Sequence, residues 1–217
     1  MTTQPALVHV VDDDASYRTS IGRVLKASGY DVAAYASAAE LLQRVPDGAR
    51  PGCILLDVQL PGLSGPELQA RLAASGCALP ILFVTGHGDI PMSVRAIKSG
   101  AEDFLTKPVA IEQLLEAIAR AVESCRSTSR QHDSVASARA LASTLTPREK
   151  QVFERVARGL LNKQIARELG TSERTIKAHR QKVMEKMGAR SLAELVVMAE
   201  RIGVLARGAD SGPAKPP

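Results

Sequence analysis

Cysteine is scarce in this chain of 217 residues, and its three cysteines, Cys53, Cys77 and Cys125, form no C-x-x-C pair. An odd number without that spacing indicates neither a disulfide framework nor a zinc site, so we expect inert thiols in a reducing compartment. Long apolar runs are also missing, because no segment approaches the ~18 apolar residues of a membrane span or follows the pattern of a secretory signal. These absences favour a soluble, cytoplasmic protein with no membrane partner.

The charged residues are divided unequally along the chain. Residues 1–124 contain 10 Lys and Arg against 14 Asp and Glu, whereas residues 125–217 contain 18 against 9. With 45% hydrophobic and 24% charged residues, the chain is globular and long enough for two modest domains. The basic second half therefore favours a phosphate-rich partner, and the acidic first half does not.

Short apolar runs alternate in the first half with segments whose apolar residues recur at helical spacing. Gly, Pro or acidic residues bound each run, as is typical of buried strands. Right-handed crossovers wind five such strand–helix repeats into a doubly wound parallel sheet, which is an α/β fold. The predicted strands cover 6–11, 31–35, 53–57, 80–85 and 102–105, and the predicted helices begin near residues 16, 38, 64, 92 and 111.

Polar side chains follow four of the predicted strands. Because the carboxyl ends of parallel strands meet at one edge of a sheet, these side chains should converge there. Several carboxylates in one place need a cation, and hard oxygen ligands favour Mg²⁺. A carboxylate nucleophile beside a metal ion, a hydroxyl and an ammonium group suits an incoming phosphoryl group. The groups at the strand ends are Asp12, Asp13 and Asp14, then Asp57, Thr85 and Lys107.

Residues 6–124 resemble the receiver domain of two-component response regulators. Four motifs at family spacing carry the resemblance, which are Val11-Asp12-Asp13, Asp57 with Pro61-Gly62, Thr85-Gly86 and Lys107-Pro108. The resemblance implies that a sensor histidine kinase phosphorylates Asp57. It also implies that Mg²⁺ is held by Asp12, Asp13, Asp57 and the backbone carbonyl of Gln59, that Lys107 pairs with the phosphate, and that Thr85 and Phe104 form a switch pair.

The second half begins with a predicted linker over residues 125–143, followed by helical patterns. Thr146 and Asn162 are expected to cap two helices, and Ser172 is expected to cap a third beyond the turn at Gly170. Two helices joined by a short turn that contains Gly form a helix-turn-helix pattern. The helix over 173–187 buries Ile176, Val183 and Met187 and is basic elsewhere, which suits the major groove of DNA.

Residues 145–204 resemble the LuxR-type DNA-binding domain, a small all-α unit of four helices. Its landmarks here are Leu145-Thr146-Pro147-Arg148-Glu149, Asn162-Lys163-Gln164-Ile165-Ala166, Thr175-Ile176-Lys177 with His179, and Lys186-Met187-Gly188-Ala189. The resemblance implies phosphate contacts from Asn162, Lys163, Thr175, His179 and Lys186, and base contacts from Lys177, Ala178, Gln181 and Lys182. It also implies a dimer seam on the last helix, formed by Leu192, Leu195, Val196, Ala199 and Ile202.

The two resemblances together predict a regulator of the NarL/FixJ class. The predicted domains are a receiver over 1–124, a linker over 125–143, a DNA-binding domain over 144–206 and a disordered tail over 207–217. The loop Thr85-Gly86-His87-Gly88-Asp89 with Pro91-Met92 favours the FixJ-like branch. We expect phosphorylation to promote homodimerisation and binding to promoter DNA, with RNA polymerase as a further candidate partner.

Two other interpretations are weighed against this one. An Asp-nucleophile phosphatase needs a second carboxylate two residues after the nucleophile, but Gln59 stands there, so no enzyme is predicted. Gln59 also departs from the basic residue or Met that is common at this position in receivers. The second alternative is a DNA-binding protein whose receiver is a phosphorylation-independent dimerisation unit, and the complete set of strand-end groups argues against it.

Overall fold

A computed structural model describes residues 4–46, 48–86 and 90–205, with the side chains of 90–93 left out. The chain divides into two compact units, Met1–Ser129 and Arg130–Pro217. The first unit has five strands, β1 (Leu7–Val11), β2 (Asp31–Tyr35), β3 (Gly52–Asp57), β4 (Ile81–Thr85) and β5 (Asp103–Thr106). Its helices are α1 (Ala15–Ala27), α2 (Ala38–Leu42), α3 (Gly65–Ala74), α4 (Ile90–Lys98) and the start of α5 (Ile111–Ser143).

The five strands form one parallel sheet in the order β2-β1-β3-β4-β5, which confirms the predicted α/β fold. The register brings the strand ends together. Val11 lies opposite Leu56, so the residues that follow them, Asp12 and Asp57, lie side by side where the two strands end. On the other flank of β3, Asp57 lies opposite Val84. The sheet order therefore places the ends of β1, β3 and β4 next to one another.

Alternate residues of the central strands enter two separate cores. Ile54 and Leu56 of β3 belong to the core on one face of the sheet, and Cys53 and Leu55 belong to the core on the other. All four side chains are at most 2% exposed. This alternation explains why a strand buried on both faces reads as a continuous apolar run that ends at the first carboxylate.

Gly65, the first residue of α3, lies against the end of β3. A Cβ atom at this position would come within 2.5 Å of the Asp57 carbonyl oxygen and 2.9 Å of the Phe83 ring. The Gly65 amide donates a hydrogen bond of 2.9 Å to the Val58 carbonyl. Only glycine permits this approach, so the residue fixes the loop that follows the candidate phosphorylation site.

The predicted linker is helical over its whole length, because α5 continues without a break to Ser143. We predicted a linker over residues 125–143 without assigning it to a helix, and the continuous helix corrects that expectation. Residues 111–143 contain neither Gly nor Pro, and they include seven Ala and four Arg, which favour helix even without a large apolar face. The boundary between the two units falls inside this helix, and its role as a linker stays a prediction.

The second unit contains α6 (Pro147–Ala157), α7 (Asn162–Glu168), α8 (Glu173–Met187) and α9 (Leu192–Arg201). Thr146 and Ser172 cap α6 and α8 as predicted. Asn162 does not cap α7, because it is the first helical residue and Leu161 occupies the cap position. The predicted tail over 207–217 lies outside the described residues. None of the described helices is both long enough and apolar enough to cross a membrane.

The predicted dimer seam on α9 is wrong for two of its members. Leu195 and Ala199 are at most 1% exposed and belong to the core of the second unit. Residues spaced by three and four on a helix share one face, and here the stripe that contains these two packs inward. The large apolar side chains that α9 leaves exposed are Leu192 at 46% and Val197 at 42%.

Candidate functional site

Two buried carboxylates lie at the carboxyl edge of the sheet, and nearby backbone amides hold both of them. Asp57, the last residue of β3, is 8% exposed, and Asp12 is 2% exposed. The amide of Gln59 donates to Oδ1 of Asp57 at 2.9 Å, and the amide of Asp14 donates to Oδ1 of Asp12 at 2.9 Å. In each case the turn after the strand fixes one carboxylate oxygen and leaves the other for a second partner.

That second partner is the same ammonium group for both carboxylates. Lys107 follows β5, and its Nζ lies 2.6 Å from Oδ2 of Asp12 and 2.7 Å from Oδ2 of Asp57. Its backbone amide donates to the Thr85 carbonyl at 2.8 Å. Burial alone would lower the pKa of Lys107, but the hydrogen bonds and charges of Asp12 and Asp57 outweigh it and raise the pKa. Lys107 therefore stays protonated between two carboxylates.

An acidic cluster at the same edge has the ligand chemistry of a hard divalent cation. One carboxylate oxygen from each of Asp12, Asp13 and Asp57 lies within 4.8 Å of the other two. Asp13 is exposed and the other two are buried, so the cluster opens to solvent on one side. Burial raises the pKa of Asp12, against the hydrogen bonds it accepts, as expected for a carboxylate that needs a nearby cation. The residues present thus fit Mg²⁺.

The predicted switch pair lies on neighbouring strands beside this site. Thr85 ends β4 and is 1% exposed, and it lies one residue beyond the partner of Asp57. Phe104 of β5 is half-buried, and its ring centroid lies 6.3 Å from that of Phe83. The structure therefore places the hydroxyl at the sheet edge and the aromatic ring against the core below it.

Sequence reasoning missed two further residues of the first turn of α1. Arg18 donates from Nη1 to the Asp12 carbonyl at 2.6 Å. Lys107 Nζ lies 4.1 Å from the centroid of the Tyr17 ring. The helical spacing of Tyr17 indicated only a core position, and no pattern in the sequence marks an aromatic ring as the partner of a lysine 90 residues later.

A second candidate site lies on α8, where buried and exposed residues separate cleanly. Ile176, Val183 and Met187 are at most 1% exposed and pack in the core of the second unit. The four predicted base contacts are all exposed, and their spacing of one, three and one places them on one face of the helix. These residues are Lys177, Ala178, Gln181 and Lys182.

The predicted phosphate contacts differ in their exposure and in the hydrogen bonds that they already form. Lys163 and Thr175 are exposed, and His179 is half-buried. Asn162 Oδ1 accepts a hydrogen bond of 2.9 Å from Arg180, which joins α7 to α8. Lys186 donates to Glu149 at 2.7 Å and to the Thr144 carbonyl at 3.3 Å. Two of its three N–H groups therefore form hydrogen bonds within the second unit, which the sequence did not predict.

A carboxylate–lysine site on a parallel sheet, followed by a helix-turn-helix unit with a basic exposed face, defines the class of signal-responsive DNA-binding regulators. The comparisons with known proteins agree. Residues 8–119 match the response regulator receiver domain, and residues 143–199 match the bacterial regulatory proteins of the luxR family. The match to a receiver domain implies a sensor kinase as partner, and the match to a LuxR-type domain implies DNA binding.

Relatives in several bacteria match over nearly the whole chain. Nodulation protein W of Bradyrhizobium diazoefficiens is 48% identical over 202 residues, which cover 93% of this chain and 88% of that protein. The transcriptional regulatory protein FixJ of the same organism is 42% identical over 205 residues, covering 94% and 99%. The response regulator TmoT of Ectopseudomonas mendocina is 40% identical over 202 residues, covering 93% and 91%.

Two solved structures are similar over nearly the whole chain as well. The response regulator StyR has a TM-score of 0.80 at 42% identity, covering 91% of this chain and 99% of that one. Full-length FixJ from B. japonicum has a TM-score of 0.58 at 41% identity, covering 94% and 100%. The chain therefore belongs to the response regulators with a receiver and a LuxR-type domain, in the FixJ-like branch. It is a phosphorylation-activated transcriptional regulator of a two-component system.

Proposed function

We propose that Asp57 is the residue that accepts the phosphoryl group. The observation that carries the proposal is the position of Lys107 Nζ, at 2.7 Å from Asp57 Oδ2 and 2.6 Å from Asp12 Oδ2. Lys107 contacts both buried carboxylates, but of the three in the cluster only Asp57 lies within a strand, which is the central one of the sheet. An ammonium group held there can neutralise an incoming phosphoryl oxygen while the carboxylate attacks.

The transfer is a substitution at phosphorus. An Asp57 carboxylate oxygen forms a bond to phosphorus as the bond between phosphorus and the imidazole nitrogen of the kinase histidine breaks. The electron pair of that bond leaves with the imidazole, and nothing is oxidised or reduced. Lys107 gives up part of its contact with Asp57 and follows the new charge on the phosphoryl oxygens.

Asp12, Asp13 and Asp57 would hold Mg²⁺, together with the backbone carbonyl of Gln59. The ion would neutralise charge on the transferring phosphoryl group. The chain's own residues orient the carboxylates. The Gln59 amide orients Asp57, and the Asp14 amide orients Asp12. We assign the protein no enzymatic turnover, because Gln59 stands where an Asp-nucleophile phosphatase needs a second carboxylate.

The conformational response to phosphorylation would begin at Thr85 and Phe104 and would lead to DNA binding. The Thr85 hydroxyl would turn toward the phosphoryl oxygens, and the half-buried Phe104 ring would follow it inward. The phosphorylated chain would then bind a promoter element with two half-sites as a homodimer, in the cytoplasm. Leu192 and Val197 on α9, both more than 40% exposed, support an apolar contact between copies. RNA polymerase as a further partner stays an expectation.

The DNA contacts are proposed from exposure and charge. Lys177, Ala178, Gln181 and Lys182 would reach base edges in the major groove. Lys163, Thr175 and His179 would contact phosphates, as would the amide nitrogen of Asn162 and the remaining N–H of Lys186. A recognition helix that buries one stripe and exposes a basic face supports this assignment.

Labelling with a small phosphodonor tests the proposal. The Asp57→Asn variant should take up no acid-labile phosphate from acetyl phosphate with Mg²⁺, and its promoter affinity after treatment should equal that of the untreated protein. Asp103→Asn is the matched control, because Asp103 is a partly buried carboxylate of the same sheet that pairs with Arg120. It should be labelled like the wild type.

Two results would contradict the proposal. Equal labelling of Asp57→Asn and wild type would assign the phosphoryl group to another residue. Equal promoter affinity of the wild type before and after labelling would favour the alternative in which the receiver is a dimerisation unit that phosphorylation does not control.

A further inference from the structure

The ammonium group of Lys107 has a third contact besides its two carboxylates. It lies 4.1 Å from the centroid of the Tyr17 ring, which is inside the range of a cation–π interaction. A cation bound to Asp12, Asp57 and an aromatic face is restrained by charge and by an apolar surface. The ring, unlike the two carboxylates, is neither a candidate metal ligand nor the candidate phosphoacceptor.

Tyr17 is itself firmly placed in the first turn of α1. Asp14 caps this helix, and its Oδ1 accepts from the amides of Ser16 at 2.8 Å and Tyr17 at 3.2 Å. The ring packs against the sheet core that contains Val10 and Leu105. The third aspartate of the acidic triplet, which the resemblance leaves without a role, therefore anchors the residue that contacts Lys107.

The hydroxyl of Tyr17 contributes no hydrogen bond to this arrangement. It is buried and has no hydrogen-bond partner among the described residues. Burial raises the pKa of Tyr17, and the charges of Lys107, Asp12 and Asp57 also act on it. The ring, and not the hydroxyl, therefore makes the specific contact with Lys107.

We propose that Tyr17 is a positioning residue whose ring holds the Lys107 ammonium group beside Asp57. The proposal rests on Asp57 being the phosphoacceptor. A lysine reaches its target through a flexible four-carbon stem, so an ammonium group must be restrained to meet a phosphoryl oxygen in the transition state. The ring supplies that restraint without taking up a hydrogen bond that the phosphate needs.

Variants of Tyr17 separate the ring from the hydroxyl. In the full-length protein with Mg²⁺ and acetyl phosphate, Tyr17→Leu should be labelled about five-fold more slowly than wild type. Tyr17→Phe keeps the ring and should restore the wild-type rate. Tyr30→Leu is the matched control, because Tyr30 packs against the same core but has no contact with Lys107, and its rate should be unchanged.

A spectroscopic measurement tests the contact independently of phosphorylation. With ¹³C-labelled lysine, the ε-methylene protons of Lys107, assigned with Lys107→Arg, should be shifted upfield by the ring in wild type and Tyr17→Phe. The shift should vanish in Tyr17→Leu and also in Tyr17→Met, a second variant that guards against a local folding defect. Thermal denaturation followed by circular dichroism should show that each variant is folded.

The outcomes distinguish this proposal from the one on which it rests. A Lys107 signal that is identical in wild type and Tyr17→Leu would overturn the contact. A Tyr17→Phe rate as slow as that of Tyr17→Leu would assign the effect to the hydroxyl and would also overturn the proposal. If the wild type is not labelled at Asp57 but the Lys107 shift depends on the ring, the phosphoacceptor assignment fails and the contact stands.

Discussion

The Glu149 carboxylate joins the first helix of the DNA-binding unit to the end of its recognition helix. Its Oε2 lies 2.7 Å from Lys186 Nζ and also accepts the Thr146 amide at 2.8 Å. The Glu149 side chain is 4% exposed. One buried carboxylate therefore closes the capping box of α6 and pins the last turn of α8, so the orientation of the recognition helix depends on it.

Replacing Glu149 should destabilise the DNA-binding unit. The hydrogen bond from Lys186, followed by that from the Thr146 amide, lowers the pKa of Glu149 from 4.5 to about 2. Because the folded state favours the ionised form, the stability it contributes is present above about pH 4.5 and is lost as the pH falls toward 2. Glu149→Gln should lower Tm by several degrees at pH 7, as measured by circular dichroism, and less at pH 3.

Glu154→Gln is the control for this prediction. Glu154 lies on the same helix, and its side chain has no ion pair or hydrogen bond with the described residues. Its substitution should leave Tm unchanged at both pH values. An equal loss of Tm in the two variants would mean that helix charge, and not the contact with Lys186, explains the effect.

The five-strand parallel sheet and the convergence of its strand-end groups could be predicted because both depend on local signals. Asp12, Asp57 and Lys107 each follow an apolar run, and a parallel sheet brings such ends together whatever the loop lengths. The helix starts at Ser64 and Thr146 could be predicted as well. In each, a hydroxyl residue is followed by Pro within the first turn and by Glu three residues later, which is the pattern of a capping box.

What could not be predicted depends on contacts between residues far apart in the chain. No sequence pattern near Tyr17 predicts its contact with Lys107. Likewise, no pattern near Leu195 predicts which residues cover its face of α9. The length of α5 was missed for a different reason. A segment without large apolar residues reads as a linker, yet residues 125–143 contain four Ala, three Arg and neither Gly nor Pro, so their summed helix propensity can continue a helix.

A substitution at the start of α7 should increase the stability of the DNA-binding unit. Leu161 occupies the cap position, is 69% exposed and provides no side-chain hydrogen bond, although its amide donates to Gln164 Oε1 at 2.8 Å. A serine there can accept a hydrogen bond from the first turn, as Ser172 does from the Thr175 amide at 3.1 Å. Leu161→Ser should therefore stabilise the DNA-binding unit by about 1 kcal/mol in urea denaturation.

The opposite substitution on the next helix provides the comparison. Ser172→Ala removes an existing cap and should cost about 1 kcal/mol in the same measurement. If Leu161→Ser is destabilising while Ser172→Ala behaves as expected, the exposed leucine makes an apolar contact that a missing cap does not describe.

The buried histidine of β1 should make the receiver unit sensitive to acid. His9 is 5% exposed, and its Nδ1 shares a hydrogen bond of 3.1 Å with the Tyr35 hydroxyl. Burial, followed by the charge of Arg50, lowers the pKa of His9 from 6.5 to about 4. Neutral His9 is thus favoured in the folded state, and stability present above pH 6.5 is lost as the pH falls toward 4. The loss should be at most about 3 kcal/mol.

Substitution isolates this effect in urea denaturation between pH 7 and pH 4. His9→Phe should unfold more easily at pH 7, because Tyr35 loses its partner, but its stability should depend less on pH than that of the wild type. His132, which is exposed on α5, supplies the control variant His132→Gln. A wild-type pH dependence that persists in His9→Phe would assign the acid sensitivity to other groups.

The exposed face of α8 should control promoter binding without affecting phosphorylation. Lys177→Ala and Lys182→Ala should each weaken binding by about 1–3 kcal/mol if the ammonium group reaches a base edge. A lysine that contacts a phosphate should instead reduce the slope of log K against log salt by about 1. Lys150→Ala removes an exposed charge from α6 of the same unit and should change neither quantity. Fluorescence anisotropy over a salt series measures both, with labelling of Asp57 checked in parallel. Affinity and salt slope equal to wild type in both α8 variants would exclude this face from the groove.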